Sequence, residues 1–167
     1  MTAAPAISTR PATVASAPAK PEFAVLNIRR PLMSVWGAAL LLNCDEETIE
    51  RRLTDGKLAW AFNISTDATA HNRCVRIFTP CVLDFKAGVK HDFTAPFILN
   101  AVFPEARSKF KTHEVAFAWH CGAGHVRQLL ESGALKKLPG NALRGPSSSA
   151  VFSRAALVEF LTRRRVL

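Results

Sequence analysis

The chain has 167 residues, 49% hydrophobic and 21% charged, which is enough apolar material for packed cores in one domain or two small ones. Its net charge of +9 is unevenly placed: residues 1–84 hold nine Lys/Arg against eight Asp/Glu, and residues 85–167 hold thirteen against five. The imbalance points to a polyanionic partner, with double-stranded DNA ahead of an anionic membrane, because no basic amphipathic helix and no run of about 18 apolar residues stands out.

Residues 1–25 form the first segment, and residues 1–20 are rich in Ala, Pro, Ser and Thr with only Arg10 and Lys20 charged. Such a composition cannot bury a core and reads as a disordered tail. A first structured unit is expected over 30–86. Ser34 suits a helix N-cap, and Val35, Ala38, Ala39 and Leu42 recur at the spacing of one helical face. Asn43-Cys44 makes the turn, Asp45 caps a second helix carrying Ile49 and Leu53 inward, and Gly56 ends it. Leu58–Phe62 and Arg73–Ile77 then alternate around the polar stretch 63–72, the pattern of a β-hairpin or wing. Thr79-Pro80 reads as a cap followed by a first-turn proline, leading into Val82, Leu83 and Phe85.

The connecting segment 87–110 contains Phe93, Phe97, Ile98, Leu99, Val102, Phe103 and Phe110, too apolar a set for a free linker. It is expected to pack on one or both units, or to serve a homodimer or protein contact. Residues 111–167 repeat the first unit. An ungapped offset of 77 places Ala39 on Ala116, Cys44 on Cys121, Ile49 on Val126, Leu53 on Leu130, Gly56 on Gly133 and Leu58 on Leu135. In this copy Val115, Ala116, Trp119, Val126 and Leu130 are expected inward, with a Cys121-Gly122 turn and Lys136–Ala150 in the place of the hairpin. Ser153 is matched to Thr79, which makes this hairpin three residues shorter than the first.

The string Leu32-Met33-Ser34-Val35, with Ala38-Ala39, Leu41-Leu42, Thr48-Ile49, Arg51 and Gly56-Lys57-Leu58, resembles the excisionase and MerR-type winged helix-turn-helix families. The resemblance covers about 50 residues in each copy, carried in the second by Glu114, Ala116, Val126, Gly133 and Leu135. It implies an α+β fold, mainly α with small β-hairpins, built as two tandem winged helix-turn-helix units forming an internal pseudo-dimer. It also implies sequence-specific binding of double-stranded DNA by a transcriptional regulator of a bacterial or mobile-element system, cytoplasmic and nucleoid-associated. An architectural excision, origin or packaging factor, or an adaptor that kept the fold, are the alternatives. Asn43 departs from the usual Gly, and Asp45-Glu46-Glu47 puts acids at the end of the helix that normally enters the groove.

The DNA-binding candidates in the first copy are Thr48, Arg51 and Arg52 on the second helix and Arg73 and Arg76 in the wing, with His71 and Asn72 near its tip. In the second copy they are His125, Arg127 and Gln128 on the helix, then Lys136, Lys137, Arg144, Ser147 and Ser148 in the wing. Arg matches guanine N7/O6 and Gln matches adenine N6/N7, while wing cations and hydroxyls suit phosphates. Ser149 and Arg163-Arg164-Arg165 are further phosphate candidates, and Trp36, Trp60 and Trp119 read as packing residues.

Cys44, Cys74, Cys81 and Cys121 lack metal-ligand spacing and read as small hydrophobes, so no cofactor or metal is expected. No phosphate-cradling loop or Ser/His/Asp arrangement occurs and tyrosine is absent, which argues against an enzyme.

Overall fold

The computed structural model describes residues 29–67, 74–90, 92–139 and 150–166. Two stretches share the order strand, helix, helix, strand, helix, and the first has one further strand without a counterpart among the described residues of the second. The first unit runs β1 (Leu32–Ser34), α1 (Val35–Leu42), α2 (Glu46–Thr54), β2 (Ala61–Asn63), β3 (Val75–Phe78) and α3 (Thr79–Ala87). After α4 (Ala95–Val102), the second runs β4 (Lys109–Lys111), α5 (Thr112–Ala118), α6 (Ala123–Glu131), β5 (Val151–Ser153) and α7 (Arg154–Arg163). The architecture is α+β, with an antiparallel three-stranded sheet in the order β1-β3-β2 and a two-stranded sheet of β4 and β5.

The correspondence extends to single hydrogen bonds. The Cys44 amide donates to the Ala39 carbonyl and the Cys121 amide to that of Ala116, both at 3.0 Å. Asn43 and His120 both turn the chain with positive φ, and Gly56 and Gly133 end their helices at φ 69° and 76°. That last conformation is one glycine adopts without a Cβ penalty. Ser34, Asp45 and Ser153 cap as expected, accepting from the amides of Gly37, Thr48 and Ala156 at 3.0, 2.6 and 3.2 Å. Buried Ala39 and Ala116 leave room for the second helix of each pair to pack close to the first.

Several boundaries differ from expectation. The first residue of α3 is Thr79 itself, whose N-cap is Phe78; the Thr79 hydroxyl instead donates to the Arg30 carbonyl at 2.7 Å. Ser153 therefore matches Phe78, and the stretch from the helix-ending glycine to this position is two residues shorter in the second copy rather than three. Strand β2 begins at Ala61, after Trp60 turns the chain at φ 66°. On α6 the fully buried leucine is Leu129, with Leu130 half-buried, and Trp36 is 52% exposed rather than packed. The segment 87–110 contains α4, and Lys109 and Phe110 already belong to β4.

The units meet in one shared core. Alternation along the three-stranded sheet sends Met33, Ala61, Val75 and Ile77 into the first unit's own core with Ile49 and Val82. The opposite face, with Leu32, Phe62 and Phe78, joins Trp119, Val126, Phe152 and Phe160 of the second unit. Helix α4 completes this core with Ile98 and Val102, while Phe93 and Phe97 stack on each other against Phe78. The end of the chain then extends the sheet: the Asn63 amide donates to the Arg164 carbonyl and the Val166 amide to that of Ala61, each at 2.8 Å.

This contact is head-to-tail. The first unit offers its sheet, and the second offers its α5–α6 turn, α6 and the chain end. A two-fold pair would bury the same face twice. The pseudo-dimer anticipated from the repeat is therefore a stack of non-equivalent units.

Candidate nucleic-acid interface

Helix α6 is amphipathic. Val126 and Leu129 are buried, and Gly124, Arg127, Gln128 and Glu131 are exposed on the other side. Arg127 and Gln128 are adjacent and point outward, so both side chains can reach a ligand. Lys136 and Lys137 are exposed just beyond Leu135, where the Leu138 amide bonds the Val151 carbonyl at 2.9 Å and holds this stretch beside β5. Arg144, Ser147 and Ser148, with Ser149, lie outside the described residues.

His125 is turned elsewhere. Its Nε2 lies 2.6 Å from the Ile64 carbonyl of the first unit, so this ring joins the units instead of facing a groove. Arg76 is spent in the same way. Its Nε donates to the carbonyls of Trp119 and His120 at 3.0 and 3.1 Å, and Nη1 to that of Val75 at 2.9 Å. The cause is strand register, since Arg76 shares the face of Phe78 and that face is covered. A nearby consequence falls on His120, whose pKa is lowered by burial and by the positive charges of Arg30 and Arg76.

On α2 the surface has the opposite character. Asp45, Glu46, Glu47 and Glu50 are exposed at its start. Hydrogen bonds from the side chain and amide of Thr48 hold the Asp45 carboxyl below the usual carboxylate range, so Thr48 serves the cap. Arg52 lies over the Phe85 ring at 4.9 Å and donates to Cys44 Sγ at 3.6 Å. Arg51 remains exposed, 3.4 Å from Thr48 Oγ1. Arg73, His71 and Asn72 lie outside the described residues.

The terminal arginines also bind the chain to itself. Arg163 pairs with Glu159, Arg164 donates to the Ser65 carbonyl at 3.3 Å, and Arg165 covers Trp60 at 3.7 Å. Burial pushes the Cys121 thiol up to about 11 and that of Cys81 up to about 12, and no group of three or more His, Cys, Asp or Glu converges among the described residues.

One basic surface went unnoticed in the sequence. Arg29, Arg107 and His113 border a groove whose walls include Phe110 and Phe117. Its signal was the repeat, because Arg30 and Arg107 stand 77 residues apart, each just before a first strand. Among the described residues no helix is long and apolar enough to cross a membrane. Comparison with family models, curated proteins and solved structures returned no match to this chain.

Proposed function

We propose that this chain is a sequence-specific DNA-binding protein, each unit being a winged helix-turn-helix and the second unit doing the reading. The observation that carries this is the exposed Arg127–Gln128 pair on α6, in the half of the chain that holds thirteen Lys/Arg against five Asp/Glu. The equivalent positions on α2 are Glu50 and Arg51, behind an acidic first turn that repels phosphates. The first unit is then the platform that holds α6 through His125 and the α5–α6 turn through Arg76. Lys136 and Lys137 flank the reading helix and suit the backbone.

Transcriptional control is the function proposed for such a reader, and occupancy at promoters in cells is the observation that separates it from an excision, origin or packaging role, which predicts one site at an element end. The exposed acids of α2 favour a second use, docking of a basic protein partner on the first unit.

Gel shifts on a selected duplex test the reading helix. Arg127→Ala with Gln128→Ala should cost about 1–3 kcal/mol of base discrimination per side chain. The double variant should therefore bind selected and random duplex alike, with its melting temperature unchanged because both residues are exposed. Wild-type affinity should also fall steeply with salt. Undiminished selectivity in the double variant removes α6 from the interface.

A further inference from the structure

The head-to-tail stack creates a groove that neither unit has alone. Arg29 and Pro31 precede the first strand of one unit; Arg107, Phe110, His113 and Phe117 come from the other and its approach. The cavity is about 540 Å³, within the usual range for a small-ligand site. The duplicated arginines each lie over one of its aromatic rings. Arg30 lies over the Phe117 ring at 5.0 Å, and Arg107 over the Phe110 ring at 4.9 Å.

Charge and shape restrict what fits. Arg29 and Arg107 bring positive charge to the lining, with Arg30 on the Phe117 ring, and His113 adds ring nitrogens. The carboxylate there, Glu114, is engaged by Arg107 at 2.5 Å and by the Lys111 amide at 2.7 Å, and both contacts hold its pKa down. Phe117 remains 48% exposed although a guanidinium covers part of it, which leaves ring surface for a further planar group. Apolar floor, exposed aromatic ring and bordering cations are the elements that bind an unpaired strand, with bases stacked and phosphates neutralised.

We propose that this groove binds single-stranded DNA, with a base stacked on Phe117 and the adjoining phosphates held by Arg29 and His113. The proposal goes beyond duplex reading by α6 and does not depend on it. A strand separated beside the duplex site would find this surface on the same molecule.

Fluorescence anisotropy with labelled oligo(dT) and with an abasic oligomer of equal length tests it on the full chain. Phe117→Ala should weaken oligo(dT) at least about 5-fold, the lower end of what one stacked base contributes, and leave the abasic oligomer unchanged. Arg29→Ala with His113→Ala should weaken both. All these residues are exposed, so folding should survive, which circular dichroism checks. Equal binding of oligo(dT) and abasic strands by the wild type, or no effect of Phe117→Ala, overturns the proposal. Loss of oligo(dT) binding in the Arg127/Gln128 double variant also overturns it, by locating the strand on α6. Loss of duplex selectivity alone in that variant supports the separate α6 reading and leaves the groove standing.

Discussion

Trp119→Ala should lower stability by about 3–5 kcal/mol, as expected for truncating a large buried ring, and the melting temperature by roughly 10–20 °C. Trp119 is fully buried, stacks on Phe160 at 5.0 Å and meets Phe103 edge-on at 6.1 Å. It occupies the core that both units share, so its loss should weaken the whole chain in one transition. The repeat sharpens the expectation, because the matching position in the first unit is half-buried Leu42. Trp119→Phe should be far milder. The indole Nε1 is buried and makes no hydrogen bond, so phenylalanine loses ring area but no polar contact. Differential scanning calorimetry of both variants decides the matter. A drop of only a degree or two for the alanine variant would mean that the units do not depend on a common core.

Arg76→Met is the second large effect. It removes the guanidinium that holds two carbonyls of the α5–α6 turn while keeping much of the side-chain volume. The expected cost is about 2–4 kcal/mol, since hydrogen bonds from a charged donor are lost and two carbonyls are left unpartnered. A change in packing alone does not predict the companion effect on His120. In the wild type the folded-state pKa of this ring lies below its ordinary value of 6.5, mainly through burial, then through the charges of Arg30 and Arg76. The neutral ring therefore contributes stability that is present above that ordinary value and lost as pH falls through the folded-state pKa. Removing Arg76 should raise the folded pKa, which NMR titration of the ring reads directly, and make the acid loss shallower. A variant that loses DNA affinity but keeps both its stability and the His120 titration would return Arg76 to the DNA interface.

Local structure was legible wherever one residue type has a single local role. Ser34, Asp45 and Ser153 could be read as caps because a short oxygen-bearing side chain beside an apolar stripe satisfies helix amides. Gly56 and Gly133 marked helix ends because left-handed backbone favours glycine. The repeat was visible because Ala39/Ala116 and Ile49/Val126 are constrained by the same packing in both copies.

What stayed hidden was decided between the units. His125, Arg127 and Gln128 are neighbours on one helix, and only the position of Ile64 removes the first from the outward set. Arg76 looked like a wing cation. A cue was nevertheless present, since Leu32-Met33, Ala61-Phe62 and Ile77-Phe78 place apolar residues on both faces of one sheet. A sheet open to water on one side alternates apolar with polar, so these pairs announce a covering layer. Thr79 misled for a different reason: a hydroxyl before proline suits a cap, and here it donates its hydrogen bond to the Arg30 carbonyl instead.

A duplication joined by translation has, in principle, no natural end, because each added copy offers the next one a fresh landing place. Here the exposed sheet of the second unit replaces Leu32 with Lys109 and Phe78 with Ser153, the charged and polar counterparts at matching register positions. Burying an unpaired ammonium is costly, so this face does not offer the apolar landing place that the first unit's sheet provides. Two positions thus give the stack its polarity, apolar on the receiving face of the first unit and hydrophilic on the matching face of the second.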